Sequence, residues 1–270
     1  MKPRFLAYPY IGWMGIFVAA PIVLILIYAF TNSSGAFTLV NFSAMGSYTS
    51  VFTRSFRLAA ISTVVCIILG YPAAYIMSKE GKTMQRVIIM LIMLPMWMNF
   101  LLRTYAWMSI LENTGLLNRF LDYIGLPRLN IINTQAAVVI GMVYNFLPFM
   151  VLPIYSVIIK IDRSLVEAAQ DLGANSATVF GKLIFPLSLP GVLSGVTMVF
   201  VPAVSTFIIS QLLGGGKEML LGDLIELQFL GAAYNPHLGS AISLVMMFIV
   251  IVFMYVMNRF GEGEEKAVVL

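Results

Sequence analysis

Histidine and cysteine are almost absent from this 270-residue chain, which has one of each, His237 and Cys66. A multi-histidine or HExxH metal centre is thereby excluded, as are a disulfide framework and a cysteine-rich metal site. Cys66 lies within an apolar run, where a small buried thiol needs no chemical role. Charge is scarce too: only 10% of residues are charged, 60% are hydrophobic, and mean hydropathy is +0.93. Soluble globules carry about 25% charged and about 45–50% apolar residues, so this composition describes one domain bathed in lipid. The net charge of +4 and pI near 9.2 do not point to nucleic acid, because the basic residues form no stripe with interleaved aromatics.

Hydrolytic motifs are also missing. There is no G-x-S-x-G elbow. Gly214-Gly215-Gly216-Lys217 has the look of a phosphate loop, but Gln211 occupies the position of the first glycine and Glu218 follows the lysine. ATP hydrolysis by this chain is therefore not expected. A membrane-embedded enzyme would lack a nucleophile, a metal site and an acid–base pair. No cofactor is expected.

Six apolar stretches are long enough to cross a hydrocarbon core, which takes about 20 helical residues. They lie near residues 9–30, 57–78, 87–111, 134–158, 184–213 and 237–259. The strand alternation of a barrel is absent, so the expected fold is an all-α polytopic membrane domain spanning residues 1–270. Met1-Lys2-Pro3-Arg4 provides the basic flank of a signal peptide. The apolar stretch that follows is too long for one and lacks a small-x-small cleavage site before Thr31, so it reads as a span.

Lys2, Arg4, Lys79, Lys82, Arg86, Lys160, Arg163, Lys182, Arg259 and Lys266 fall on one side, and Arg54, Arg57, Arg119, Arg128 and Lys217 on the other. The positive-inside rule places both termini in the cytoplasm. All twelve acids fall in loops, span edges or tails. A carrier driven by its own proton relay usually has a carboxylate or histidine at membrane depth, so energy is expected from a partner. Pro72, Pro95, Pro148, Pro153, Pro186, Pro190 and Pro202 lie within the spans, with Gly70, Gly141, Gly191 and Gly195. Kinked helices are predicted, serving either a transport pathway or close helix packing through small residues.

The internal loop 160–183 carries the most specific pattern. Ser164 is placed to cap a helix with Glu167 reaching back to it, Gly173 to end that helix, and Ser176–Lys182 to form a second. Glu167-Ala168-Ala169, Gly173 and then Leu183-Ile184-Phe185-Pro186 resemble the EAA signature of permease subunits of binding-protein-dependent ABC importers. Leu183 and Phe185 stand where isoleucine and leucine are usual. The resemblance implies the type-1 importer permease fold. It also implies that this loop is the coupling helix seated in a cytoplasmic ATPase, with Ala168 and Ala169 permitting close approach, Glu167 offering a charge, and Pro186 closing the motif.

Other segments narrow the resemblance: Arg103-Thr104-Tyr105-Ala106-Trp107, Thr114–Asn118, Tyr144–Pro153, Leu212–Lys217 and Gly239-Ser240-Ala241. From about Arg54 to Met257 the chain is similar to the PotB-type first permease subunit of spermidine/putrescine importers. That similarity implies a second related permease subunit, two ABC ATPases, an extracytoplasmic polyamine-binding protein, and a bacterial cell membrane. An importer of another small solute, or a stand-alone secondary carrier, is the alternative.

A polycation is held by carboxylates and aromatic faces, each cation–π contact giving about 0.5–2 kcal/mol. Trp97, Tyr105, Trp107, Tyr144, Phe146 and Tyr155 are the aromatic candidates for a path, with interfacial or packing roles as the alternative. Asp223 and Glu226, three apart, would share a face of a short external helix whose other face is Leu220, Leu224 and Leu227. They would guide a cation or simply face water from an amphipathic surface helix. Arg103, the charge inside a span, reads as structural or as a gate element, snorkelling or paired with Glu112.

Overall fold

The computed structural model describes residues 8–268 apart from residue 232, with the backbone alone at residues 8, 11 and 261–268. Lys2 and Arg4, used above for orientation and as a signal-like flank, lie outside the described residues. Among the described residues the only β pairing is an isolated bridge between Thr31 and Phe37.

Helix α1 (Tyr8–Met14) passes through a π turn at Gly15–Ala19 into α2 (Ala20–Ala29). Short α3 (Val40–Ala44) precedes α4 (Thr49–Lys79). Then come α5 (Lys82–Trp97), α6 (Phe100–Leu111), α7 (Leu116–Tyr123) and α8 (Gln135–Ile158). Helices α9 (Arg163–Asp171) and α10 (Ser176–Val179) lead through a π turn at Phe180–Ile184 into α11 (Phe185–Ser205). The chain continues with α12 (Ile208–Leu213), α13 (Leu221–Leu230) and α14 (Pro236–Val268).

Five helical stretches are long and apolar enough to cross a membrane, and α5 with α6–α7 makes a sixth if that bent pair is one span. The stretch expected as one span at 87–111 is thus broken, with a 92° bend between Lys82–Trp97 and Phe100–Tyr123. Pro95 supplies no amide donor in the last turn of α5, and the Asn99 side chain accepts from Leu101 N–H at 2.8 Å to start α6 afresh. The fifth stretch also ends early, at Ser205 rather than residue 213, and Thr206 is extended. Pro202 removes one helical amide, and Ser205 Oγ donates back to the Val201 carbonyl at 3.2 Å. Helix α4 begins at Thr49, eight positions before the apolar run that suggested it, because its first turns are part polar. By contrast, α4, α8 and α11 continue through Pro72, Pro148, Pro153 and Pro190.

Helices α4, α8 and α11 pack together as the core. The α8 span is 61% buried inside the chain, whereas Gly12–Ala29 is 6% buried, so the N-terminal helix is peripheral. Glycines set how closely the core helices approach. A Cβ at Gly191 would stand 2.9 Å from the Pro153 carbonyl oxygen, and one at Gly195 would stand 3.2 Å from that of Met150. The peripheral α2 is fastened to α14, where His237 Nδ1 lies 3.1 Å from the Tyr28 carbonyl oxygen. The bundle has two distinct ends: α9 and α10 sit at one, and α12, α13 and the starts of α4 and α8 sit at the other.

Candidate coupling surface and path

Asp162, not Ser164, caps α9: its carboxylate accepts from Ser164 N–H at 2.9 Å. That bond holds the Asp162 carboxyl below its ordinary range. Both residue types can cap, and the chain turns helical one residue after the aspartate, leaving Ser164 inside the first turn. The far end is as expected. Gly173 has φ +85, Gly173 N–H donates to the Gln170 carbonyl at 2.8 Å, and Ala174 N–H donates to that of Ala169 at 3.0 Å. Asn175 then caps α10, accepting from Thr178 N–H at 2.8 Å.

Between its caps, α9 exposes Glu167 and Ala168 and half-buries Val166 and Ala169. Leu165 is 48% and Leu172 89% exposed. Leu165, Ala168 and Leu172 are spaced three and four apart, so they form one apolar stripe around the Glu167 charge with nothing covering it. Pro186 is exposed nearby. Behind α9 a cleft of about 800 Å³ is lined by Lys79, Lys82, Gln85, Arg163, Glu167 and Gln170 among others.

This end is tied firmly to the core. Tyr71 Oη and Ser188 Oγ are 2.7 Å apart and buried, joining α4 to the base of α11. The Phe180 ring meets Tyr71 and Tyr75 edge-on at 5.7 and 5.0 Å. Tyr155 Oη donates to Gln85 Oε1 at 3.1 Å, and Gln85 Nε2 donates to the Glu80 carbonyl at 2.8 Å, joining α8 to the α4–α5 turn. The helical stretch Ser176–Ser205 runs from α10 to the opposite end of the bundle. There a Cβ at Gly222 would stand 2.4 Å from the Ser205 carbonyl oxygen, so α13 sits directly on the end of α11.

The aromatic candidates separate into groups. Trp107 and Tyr144 meet edge-on at 5.0 Å and line an open apolar groove of about 720 Å³ with Ile61, Val65 and Val143. Trp97, 75% exposed, and Tyr105, 47% exposed, lie on the surface of the broken span. Phe146 and Tyr155 are buried in the chain's own core, where Phe146 packs among α8's neighbours and Tyr155 serves Gln85.

Two charged candidates are placed differently from what spacing suggested. Arg103 does not pair with Glu112. It is buried, its Nη1 donates to the Pro95 carbonyl at 2.5 Å, and its guanidinium lies 5.7 Å from the Phe100 ring. It therefore clamps the two halves of the broken span. Asp223 does not face water from an amphipathic helix. It is 5% exposed, and Oδ2 accepts from Leu220 N–H at 2.7 Å, capping α13 from within. Leu220 and Leu224 are buried as well, so α13 is packed on two sides. Burial pushes the Asp223 carboxyl up to about 6, against the lowering effects of the Leu220 amide and of the Ser210 and Gln211 side chains. Glu226 is half-buried and accepts a hydrogen bond from Gln211 Nε2.

Residues 66–262 match the family described as "Binding-protein-dependent transport system inner membrane component". The chain belongs to this family. Its members are the permease subunits of ABC importers, and hydrolysis of ATP belongs to a separate subunit. The permease is similar, at 37% identity over 269 residues, to the spermidine/putrescine transport system permease protein PotB of Haemophilus influenzae, covering 96% of this chain and 94% of that one. It is 36% identical over 270 residues to PotB of Escherichia coli K12, covering 96% and 98%. Among solved structures, a bacterial ABC transporter involved in import of the acidic polysaccharide alginate matches with a TM-score of 0.82 at 16% identity, over 96% and 94% of the two chains. That likeness establishes the fold.

Sequence reasoning about the permease passed over Leu165 and Leu172, although their spacing with Ala168 was readable in the chain. It also passed over Gln85, Tyr71 and Ser188, buried polar partners that no linear spacing connects. At the other end, Arg57 Nη2 donates to Gln135 Oε1 at 2.7 Å, Gln135 Nε2 donates to Glu218 Oε2 at 3.0 Å, and Arg54 pairs with Glu218 at 3.5 Å. This chain fixes the loop after Gly214-Gly215-Gly216, where Gly215 and Gly216 have φ +58 and +73. The glycine run thus serves a tight turn.

Proposed function

We propose that this permease carries spermidine and putrescine across a bacterial inner membrane, delivered by an extracytoplasmic polyamine-binding protein. The identity of 36–37% to PotB proteins over 96% of the chain carries the reading. The functional complex pairs the chain with a second, related permease and two ABC ATPases, and both termini lie in the cytoplasm. The α9–α10 end is then the cytoplasmic one, as the basic residues Lys79, Lys82, Lys160, Arg163 and Lys182 favour.

In this reading the α9 stripe seats in the ATPase. Glu167 provides the charged contact, and Gly173 holds the turn that presents it. ATP-driven closure of the ATPases displaces α9 and α10. The tie between Tyr71 and Ser188 and the continuous Ser176–Ser205 helix pass that displacement to α13 at the outer end. Access alternates between the outward and inward ends, and the Trp107–Tyr144 groove offers cation–π faces on the surface where the second permease would sit.

The test is reconstitution of the four kinds of subunit in proteoliposomes. Uptake of labelled spermidine that needs both ATP and the binding protein supports the reading. Glu167→Lys combined with Gly173→Pro should insert in the membrane yet abolish uptake, because proline cannot adopt a φ of +85. Normal uptake in that variant would sink the coupling assignment.

A further inference from the structure

A cavity of about 180 Å³ opens between α12, α13 and the glycine turn, lined by Ser210, Gln211, Gly216, Glu218, Met219, Asp223 and Leu227. Gln211 is exposed at its mouth, while Asp223 is 5% exposed. Only one Asp223 oxygen is used by the fold. Oδ2 caps α13, and Oδ1 is buried without a hydrogen-bond partner. An unpartnered buried carboxylate oxygen is expensive, and a cap needs only one oxygen, so the second calls for a ligand.

The neighbours say which kind. Ser210 Oγ donates to the Phe207 carbonyl at 2.8 Å and so offers its lone pairs to the cavity. Gln211 Nε2 is engaged by Glu226. Glu218 is neutralised by Arg54, whereas Glu226 has only the Gln211 amide. The cavity therefore has negative charge and several acceptors. A divalent metal wants several carboxylates converging on one point, and among the described residues no such group of three exists. A group with three N–H donors and one positive charge matches instead.

We propose that this cavity is a subsite for a primary ammonium group, with Asp223 Oδ1 as its ionic partner and Ser210 Oγ as a further acceptor. Its transport consequence rests on the polyamine reading: the subsite holds one terminal ammonium of the solute at the outer end, beside the contact of α13 with the end of α11.

The test uses the assembled complex in phosphatidylcholine nanodiscs with ethylammonium chloride as the probe. Saturation-transfer NMR should show ethylammonium contacting the wild-type complex and tetramethylammonium, which has no N–H donors, not doing so. Asp223→Asn keeps an oxygen for Leu220 and should lose the ethylammonium signal. Leu227→Phe, which fills the cavity from another wall, should also lose it and serves if the asparagine variant does not assemble. In uptake assays either variant should raise KM for putrescine roughly tenfold, the scale of one charge-assisted hydrogen bond. An unchanged ethylammonium signal in an assembled variant, or an equal signal from tetramethylammonium, overturns the subsite. If the wild type binds ethylammonium at Asp223 but imports neither spermidine nor putrescine, the subsite stands and the substrate reading falls.

Discussion

Arg103 Nη1 donates to the carbonyl oxygen of Pro95 at 2.5 Å, across a 92° break in a helix pair that composition reads as one span. Only one guanidinium nitrogen makes a bond, and Nε is buried without a partner. Arg103→Lys should therefore keep most of the clamp, since a single donor suffices. Arg103→Leu should lower stability by about 1.5–3 kcal/mol, the worth of a hydrogen bond from a charged group. Unfolding of the reconstituted permease in mixed micelles checks the order wild type, lysine, leucine.

Tyr71→Phe removes the 2.7 Å contact with Ser188, which still donates to the Phe185 carbonyl at 2.9 Å. The expected loss is about 1 kcal/mol. If α11 passes on the ATPase displacement as proposed, transport should suffer more than stability does, because the bond joins α4 to the base of that helix. The readout is the ratio of spermidine imported to ATP hydrolysed, which should fall.

Gly191→Ala places a methyl 2.9 Å from the Pro153 carbonyl oxygen, a backbone atom that cannot step aside. Overpacking of this kind costs about 1–3 kcal/mol. Gly46→Ala, with nothing within 4 Å, is the matched control and should leave stability unchanged. Thermal aggregation of the two variants in detergent compares them directly.

The Asp223 carboxyl, raised by burial from 3.8 to about 6, gives two pH dependences of defined sign. The folded state holds this proton more tightly than the unfolded one, so its contribution to stability is full below 3.8 and is lost as pH rises through about 6. Ammonium binding at the proposed subsite needs the ionised form, so on that proposal KM for putrescine should rise as pH falls through about 6. The charged groups nearby are Glu226 on α13, Glu218 and Lys217 on the preceding loop, and Arg54 on α4, which pairs with Glu218. Asp223→Asn should flatten both profiles, measured from below the ordinary value of 3.8 to above about 6.

The spans were legible because apolar runs of helical length leave few alternatives in lipid, and Gly173 was legible because a glycine after a capped stretch has a known use. The break at Met98–Asn99 was not, since Met98 is apolar and Asn99 is a single polar residue; only Pro95 hinted at it. Asp162 and Ser164 are both good caps two positions apart, and the choice depends on where the chain turns helical, which is at Arg163. Asp223 and Glu226 matched an amphipathic surface helix in spacing, but spacing cannot report that α12 and the end of α11 cover the supposedly wet face. Leu165 and Leu172 show the reverse case: apolar residues left in the open, readable as a docking stripe once the helix is in place.

The central claim is tested most directly by labelled spermidine uptake into proteoliposomes holding the two permeases and two ATPases, with the binding protein added outside the transport-competent face. The account predicts uptake that requires ATP hydrolysis and the binding protein and that disappears in the Glu167→Lys, Gly173→Pro variant. Uptake by this chain alone, driven by an ion gradient without any ATPase, would contradict it.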